Sequence, residues 1–317
     1  MNNKRCLYCY QLLENNKADF HEKCSMEFFG TPTPPVHDYS SEEMDKLAEQ
    51  IVLKSVAVTG VQAKLSLTIE SAQGDPKKSR FTIVGLWGNF ILKPPTKEFP
   101  YLPENEDLTM HLSQLFGIST AAHSLIRLNS GELAYITKRF DRTDKGKLAM
   151  EDMCQLTETL TADKYHSSME KVGKHVTKFS SRPGIDAINF FETVLLCYLT
   201  GNADMHLKNF SMLTNTDGET MLSPAYDLVS TKVAMPDDKE EMALTINARK
   251  NRLARRDFDS LAANLKIPAK VLANIYEKFA KKIQDSMQWI DISFLPEEMK
   301  KDYQRILQEH AARINLT

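Results

Sequence analysis

Asp204 and Asn209 stand with four residues between them in the segment Gly201-Asn-Ala-Asp204-Met-His206-Leu-Lys208-Asn209-Phe210. Asp227 follows in Ser223-Pro-Ala-Tyr-Asp227-Leu-Val-Ser230. An aspartate and an asparagine at this spacing suit phosphoryl transfer: the carboxylate orients an attacking hydroxyl and the amide oxygen holds a metal. Asp227 supplies a second, anionic metal ligand. Hard oxygen ligands favour Mg²⁺, which keeps several waters and neutralises the β- and γ-phosphates of a nucleotide, so ATP and Mg²⁺ are the expected cofactors. Taken alone, an aspartate or asparagine near a glycine is more often a cap or turn residue. The constellation gains weight only from the rest of the chain.

A second cluster has different chemistry. Cys6, Cys9, His21 and Cys24 follow the pattern C-x₂-C-x₁₁-H-x₂-C, three thiols and one imidazole, the donors of a closed structural Zn²⁺ site. The plainer reading is a set of small, partly buried cysteines with an incidental histidine. Cys154 and Cys197 sit in apolar or pocket surroundings and read as packing residues. Five cysteines in 317 residues form no disulfide framework and are expected to be reduced.

The elements that must position these groups are legible in outline. A 317-residue chain with 42% hydrophobic residues can bury a sizeable core. A formal charge of -2 gives no global basic field, so neither nucleic acid nor an anionic membrane is an expected partner. No apolar run reaches the length of a membrane span and MNNKRCLYCY lacks the apolar core of a signal peptide, so the expected compartment is the cytoplasm. Gly30-Thr-Pro-Thr-Pro-Pro-Val-His37 reads as an extended linker. Alternation from Lys64 to Glu70, then Phe81–Val84, Phe90–Lys93 and Leu133–Lys138, predicts short strands, with turns at Gly74-Asp75, Gly85 and Gly88-Asn89. A helix is predicted from about Glu104 to Gly117. Beyond Arg142 the spacing is helical: Ile188, Phe191, Leu195, Tyr198 and Leu199 form one stripe, and Val271, Leu272, Ile275, Phe279 and Ile283 another. Met299, Tyr303, Ile306 and Ile314 mark a last helix after Pro296. The fold class is α+β, with a knuckle over 1–30, a β-rich N-lobe over 31–140 and a helical C-lobe over 141–317.

Asp-x-His-x-Lys-Asn-Phe followed by Tyr-Asp-Leu-Val-Ser resembles the signature of the HipA kinase family. The resemblance runs upstream in the family's order through Thr59-Gly-Val-Gln-Ala-Lys64, Gly88-Asn-Phe-Ile-Leu-Lys93-Pro, Glu104-Asn-Glu106, Lys138-Arg-Phe-Asp-Arg142 and Glu151-Asp-Met-Cys-Gln155. It spans roughly residues 50 to 317, and the short N-terminal region is more similar to HipT-like chains than to full-length HipA. The resemblance implies a two-lobed fold like that of protein kinases and phosphatidylinositol kinases. Lys93 would contact ATP phosphates and Glu106 would pair with it. Lys138 to Phe140 would be the hinge that meets adenine, Gln155 a pocket residue, and Thr59, Gly60 and Gln62 part of the phosphate-covering loop. His206 and Lys208 would complete the catalytic loop around Asp204. Autophosphorylation is implied in the covering loop: Ala57 stands where the family commonly has a first serine, leaving Thr59, with Ser55 close by.

The function implied is a serine/threonine kinase toxin of a bacterial toxin–antitoxin module, acting on an aminoacyl-tRNA synthetase or another translation protein. A HipB-like DNA-binding antitoxin and a HipS-like small subunit are the implied partners, although the cysteine-rich start departs from HipT-like chains. Two other classes stay open: a nucleotide-binding regulatory module without phosphoryl transfer, and a lipid or small-molecule kinase. Arg249-Lys250-Asn-Arg252-Leu-Ala-Arg255-Arg256 reads as a solvated helical face rather than a tRNA contact, because Asp257 and Asp259 follow at once. His111 and His166 are unassigned.

Overall fold

Leu65 and Leu67 are buried while Ser66 and Thr68 are half-buried, the two-residue period that puts one face of a strand into a core. The computed structural model describes residues 4–15, 17–36, 64–71, 79–84 and 88–316. The turn expected at Gly74-Asp75, the turn residue Gly85, and the covering loop with Ser55, Ala57, Thr59, Gly60 and Gln62 lie outside the described residues. The chain divides into two units, 1–107 with 121–140 and 108–120 with 141–317. A β-rich part followed by a helical part is the mixed architecture that the element order predicts.

Unit 1 holds a five-stranded antiparallel sheet made of β1 (Leu65–Ser71), β2 (Ser79–Ile83), β3 (Phe90–Lys93), β4 (His123–Arg127) and β5 (Leu133–Lys138), in the order β2-β1-β3-β5-β4. Lys93 ends β3 opposite Tyr135 of β5. Gly88 lets β3 begin close beside β1: a Cβ there would stand 2.4 Å from the Leu67 carbonyl oxygen and 2.5 Å from Ser66 Oγ. Its N–H donates to Ser66 Oγ at 3.0 Å. The N-terminal segment packs onto this sheet. Helix α1 (Glu22–Phe29) brings Phe28 within 5.8 Å of Phe90 and Phe29 within 5.8 Å of Phe81, both edge to face. The Leu7 carbonyl accepts from Leu125 N–H and Ser124 Oγ on β4. The proline-rich stretch expected to be an extended linker bends over residues 30–33, and Val36 bridges to Arg80 at the sheet edge; His37 lies outside the described residues. Helix α2 (Leu102–Leu115) starts two residues before the expected Glu104, and the division between units falls within it, after Asp107. Past its end, Gly117 adopts the left-handed φ of 82° that such a stop requires.

In unit 2, β8 (Ala149–Asp152), β9 (Ser211–Thr214) and β10 (Thr220–Leu222) form a small sheet, and β6 (Arg142–Thr143) and β7 (Gly146–Lys147) a short hairpin. Helix α3 (Met153–Leu156) follows β8 directly, and α4 (Met169–Phe179) precedes α5 (Pro183–Leu199). The stripe expected on α5 is incomplete as a description. From Phe190 to Leu199 every residue is buried, Glu192 and Thr193 included, so this stretch forms a core helix rather than a surface one, with Glu192 answered by Lys278 at 2.7 Å. Later helices are α6 (Thr231–Ala234), α7 (Arg255–Asn264), α8 (Ala269–Ile292) and α9 (Glu297–Arg313). The buried stripe on α8 begins at Ile275, Val271 and Leu272 being only half-buried. On α9, Tyr303 and Ile306 are buried as the spacing predicts, Met299 is half-buried, and Ile314 is buried just past the helix end. His310 of α9 stacks on Tyr198 of α5 at 4.6 Å and donates from Nδ1 to the Tyr198 carbonyl at 2.5 Å. This contact fixes the end of α5. Among the described residues no helix is long and apolar enough to cross a membrane.

Two stability tests follow from these contacts. Gly88→Ala forces β1 and β3 apart and should cost about 1–3 kcal/mol in urea unfolding, whereas Gly184→Ala, where a Cβ meets nothing within 4 Å, should change stability by less than about 1 kcal/mol. Equal effects would show that the Gly88 approach is not tight. Burial holds the His310 imidazole below its ordinary pKa, against the weaker upward pull of its hydrogen bond to the Tyr198 carbonyl. The unfolded chain therefore binds this proton more readily, and stability should fall as pH drops through about 6.5, by at most about 1.4 kcal/mol per pH unit for one such group. Comparing unfolding midpoints at about pH 7.5 and about pH 5.5, His310→Gln should flatten the dependence. An unchanged slope would exclude His310 as its source.

Candidate functional site

The segment predicted to carry chemistry leaves α5 through a tightly pinned turn. Gly201 takes a φ of 67°, and a Cβ there would stand 3.0 Å from Lys232 Cβ and 3.1 Å from Ile306 Cγ2, so a larger residue has no room. Thr231 Oγ1 accepts from Ala203 N–H at 2.8 Å and donates to the Gly201 carbonyl at 3.0 Å. Asn202 is fully buried, and its Oδ1 accepts from Asp204 N–H at 3.0 Å. Asn209, at the end of the short 3₁₀ turn Leu207–Asn209, closes the loop by donating from Nδ2 to the Asp204 carbonyl at 2.9 Å. The two residues singled out by spacing are thus joined directly. The nitrogen end of the Asn209 amide is committed inside the loop, which leaves Oδ1 as the atom to offer a hard cation.

The Asp204 side chain remains 45% exposed, open to a substrate, with His206 Nε2 3.9 Å from Oδ1. Tyr165 donates its hydroxyl to the same oxygen at 2.5 Å. Burial, and then the Asp204 carboxylate, push the Tyr165 pKa up, so this proton stays on the phenol. Burial holds His206 below the ordinary imidazole range, outweighing the opposing pull of the Asp204 and Asp227 carboxylates. His206 is therefore a neutral ring at neutral pH. Asp227 has a φ of 61°, a left-handed backbone that aspartate tolerates better than most residues.

Lys208 turns away from Asp204 and donates to Asp152 Oδ2 at 3.0 Å. The β8–β9 pairing sets Asp152 opposite Ser211, which brings it to this loop. Asp152 also caps α3: its Oδ1 accepts from Gln155 N–H while Gln155 Oε1 accepts from Asp152 N–H, both at 2.9 Å. Gln155 thus has a local role in holding α3. Tyr226 donates to the Lys208 carbonyl at 2.8 Å and lies 2.6 Å from Ser211 Oγ. Tyr165, Asp152 and Tyr226 escaped the sequence reading as site residues. Asp152 and Tyr226 lie inside quoted motifs, and the D-x-x-Q capping pattern was available; Tyr165 sits in a loop with no motif.

In unit 1, Lys93 Nζ meets Glu106 Oε1 at 2.5 Å, with side chains only 4% and 3% exposed. Lys93 also lies 5.3 Å from the Tyr135 ring centroid. Lys138 donates its backbone N–H to the Ala122 carbonyl, Arg139 donates to Asn89, and its neighbour Phe140 ends the unit. The Lys138 side chain is exposed.

The N-terminal cluster assembles in the same unit. Ligand atoms of Cys6, Cys9, His21 and Cys24 lie within 4.8 Å of one another. His21 Nδ1 is 3.5 Å from Cys9 Sγ and 3.7 Å from Cys24 Sγ. A tetrahedral Zn²⁺ with ordinary Zn–N and Zn–S bonds would separate those atoms by about 3.6 Å. His21 Nε2 donates to the Leu12 carbonyl at 3.0 Å, which fixes the tautomer with Nδ1 toward the thiols. A hydrogen bond from Cys9 lowers the Cys6 pKa to about 4, the same bond and burial push Cys9 up, and burial raises Cys24 to about 11. The donor set, spacing and outer hydrogen bond all fit zinc.

Comparison with known proteins bears on the family and the fold. A Haemophilus influenzae protein whose name proposes a kinase is 30% identical over 190 residues, covering 56% of this chain and 53% of that protein. The serine/threonine-protein kinase toxin HipA of Shewanella oneidensis is 25% identical over 267 residues, covering 76% of this chain and 58% of that protein. The chain thus spans between half and six tenths of the length of these relatives. The structure of Shewanella oneidensis MR-1 HipA with HipB and operator DNA superposes with a TM-score of 0.68 at 21% identity, covering 87% of this chain and 71% of that one. The fold is therefore the HipA kinase fold. Residues 56–287, well over half of the chain, match the family described as the HipA-like C-terminal domain, and the chain belongs to that family.

Proposed function

We propose that this chain is an ATP- and Mg²⁺-dependent protein kinase of the HipA type that phosphorylates serine or threonine hydroxyls. The observation that carries the reading is the Lys93–Glu106 pair at 2.5 Å. Two charges withdrawn from water contribute little net stability compared with apolar residues of similar volume. A lysine held by a glutamate on the following helix is, however, what kinases use to grip nucleotide phosphates. The pinned Asp204 loop supports the same reading independently. Asp204, exposed and hydrogen-bonded by Tyr165, would orient the substrate hydroxyl and receive its proton. Asn209 Oδ1 and Asp227 would hold Mg²⁺, which would neutralise charge on the transferring phosphoryl group. Lys208, anchored on Asp152, holds the loop.

Thr59, Gly60 and Gln62 would cover the phosphates, Lys138 to Phe140 and Gln155 would border the nucleotide, and Thr59, or Ser55 in its place, would accept autophosphorylation. The biological role is a toxin restrained by a HipB-like antitoxin, with a translation protein such as an aminoacyl-tRNA synthetase as substrate. Its setting is the cytoplasm. Cys6, Cys9, His21 and Cys24 would hold one structural Zn²⁺, all four positions being filled by protein.

Incubation of the purified chain with ATP and Mg²⁺ should place phosphate on Thr59, and Asp204→Asn should leave it unmodified while still binding ATP. Asp227→Ala should slow transfer at least roughly a hundredfold, more than loss of a metal's outer-shell partner usually costs. Both variants should abolish growth arrest on expression; arrest that persists in either one refutes the kinase-toxin reading. Transfer to extracted lipid rather than to lysate protein would instead identify a lipid kinase. Elemental analysis should find about one zinc per chain, falling to background in the Cys6→Ser, Cys9→Ser double variant. Unchanged metal content there would reject these ligands.

A further inference from the structure

The knuckle lies outside the segment that defines the family, residues 56–287, yet one of its residues reaches the helix that carries Glu106. Tyr10 belongs to the turn closed by its own N–H donating to the Cys6 carbonyl at 3.0 Å, with a left-handed φ of 60°. Its ring is fully buried, and its hydroxyl donates to Asp107 Oδ2 at 2.7 Å. Asp107 is fully buried on α2, directly after Glu106. Its other oxygen, Oδ1, meets His123 Nδ1 of β4 at 2.7 Å. The His123 ring stacks on Tyr135 with centroids 6.0 Å apart, and the Tyr135 ring in turn faces Lys93 Nζ at 5.3 Å. Lys93 returns to Glu106.

These contacts close a circuit within unit 1: knuckle, Tyr10, Asp107, Glu106, Lys93, Tyr135, His123 and back to Asp107. A carboxylate with no access to water needs a donor on each oxygen, and Tyr10 is the donor supplied by the knuckle. Glu106 and Asp107 occupy one turn of α2, so a shift of that turn moves both. The left-handed turn that aims Tyr10 follows Cys9 directly and is closed by Tyr10 N–H to the Cys6 carbonyl and Cys6 N–H to the Gln11 carbonyl at 2.9 Å, so the way Cys6 and Cys9 are held bears on its shape.

We infer that Tyr10 and Asp107 are positioning residues through which metal occupancy of the Cys6, Cys9, His21 and Cys24 knuckle sets how firmly Glu106 holds Lys93. This rests on the zinc and nucleotide readings given above and adds a link between them. The knuckle is then more than a clip on the N-terminal segment: loss of its metal by chelation loosens the lysine that grips ATP.

The test uses the full chain and reads α2 without nucleotide. Tyr10→Phe keeps the ring and removes only the hydroxyl. It should retain the wild-type zinc content, yet speed amide hydrogen exchange in peptides spanning residues 102–107 at least roughly tenfold. It should weaken ATP–Mg²⁺ binding about threefold to tenfold, and add nothing to the weakening caused by Glu106→Gln, since both act on one pair. EDTA treatment of the wild type should raise exchange over the same peptides, and should add little in Tyr10→Phe. Wild-type chelation alone decides the matter if the variant does not fold. Unchanged exchange at 102–107 in both Tyr10→Phe and chelated wild type overturns the inference, as does nucleotide weakening that adds fully to that of Glu106→Gln. A wild type that binds no ATP while showing coupled exchange refutes the kinase reading and supports the linkage.

Discussion

Charge withdrawn from water must be answered inside the protein, and unit 1 is organised by that constraint around a single turn of α2. Glu106 and Asp107 are adjacent, 2% and 0% exposed, and neither carboxylate can rely on solvent. Lys93 comes from the end of β3 to answer the first, and Tyr10 and His123 come from the knuckle and β4 to answer the second. The sheet order β2-β1-β3-β5-β4 follows from this need as much as it serves it: β3 and β5 must be neighbours for Lys93 to lie against Tyr135. An apolar core of the same volume would be at least as stable. Retaining paired charges there makes sense when one of them has a second task, and the phosphate contact proposed for Lys93 would be such a task.

Unit 2 meets a different demand. The loop that holds its proposed catalytic residues is polar yet begins at the end of a helix buried on every side, so released backbone groups need partners at once. Backbone N–H groups of Thr200, Gly201 and Asn202 take the Leu196, Tyr198 and Cys197 carbonyls, and small side chains serve the loop beyond. Thr231 bridges Ala203 and Gly201, Asn202 satisfies Asp204, and Asn209 closes the loop from its far end. The result leaves the Asp204 carboxylate toward solvent while its backbone is held on both sides. His310 and Tyr198 add a second fixed point one turn upstream. Neutral hydrogen bonds thus hold the loop's backbone around Asp204, and the Lys208–Asp152 ion pair anchors its later part.

Much of this was legible in the sequence because the signals are local. The strands at Phe90–Lys93 and Leu133–Lys138 and the loop from Gly201 to Phe210 carry their periodicity or motif within a few residues. The Asp204–Asn209 spacing encodes a contact that closes inside one short loop. What escaped is non-local or has no period. Tyr165 reaches Asp204 across 39 residues, Lys208 reaches Asp152 across 56, and Tyr10 reaches Asp107 across 97. The α5 stripe was read as one face because spacing detects contrast, and a stretch buried on every side with only Glu192 and Thr193 polar offers little. Gln155 was given a pocket role on resemblance, whereas its side chain also completes the cap of α3 with Asp152.

The knuckle also bears on how the chain comes off the ribosome. Its four ligands span fewer than twenty residues and can close as soon as they emerge, whereas Asp107 lies 97 residues beyond Tyr10 and Ser124 lies 117 beyond Leu7. At a synthesis rate of roughly 5–20 residues per second, that interval lasts several seconds or more. Through it, the nascent chain presents Phe28 and Phe29 without Phe81 and Phe90 to cover them. Closed on the proposed metal, the knuckle would give these two rings a folded support while the sheet is still being made, and so limit the time in which sticky, unstructured chain is open to aggregation or chaperone capture.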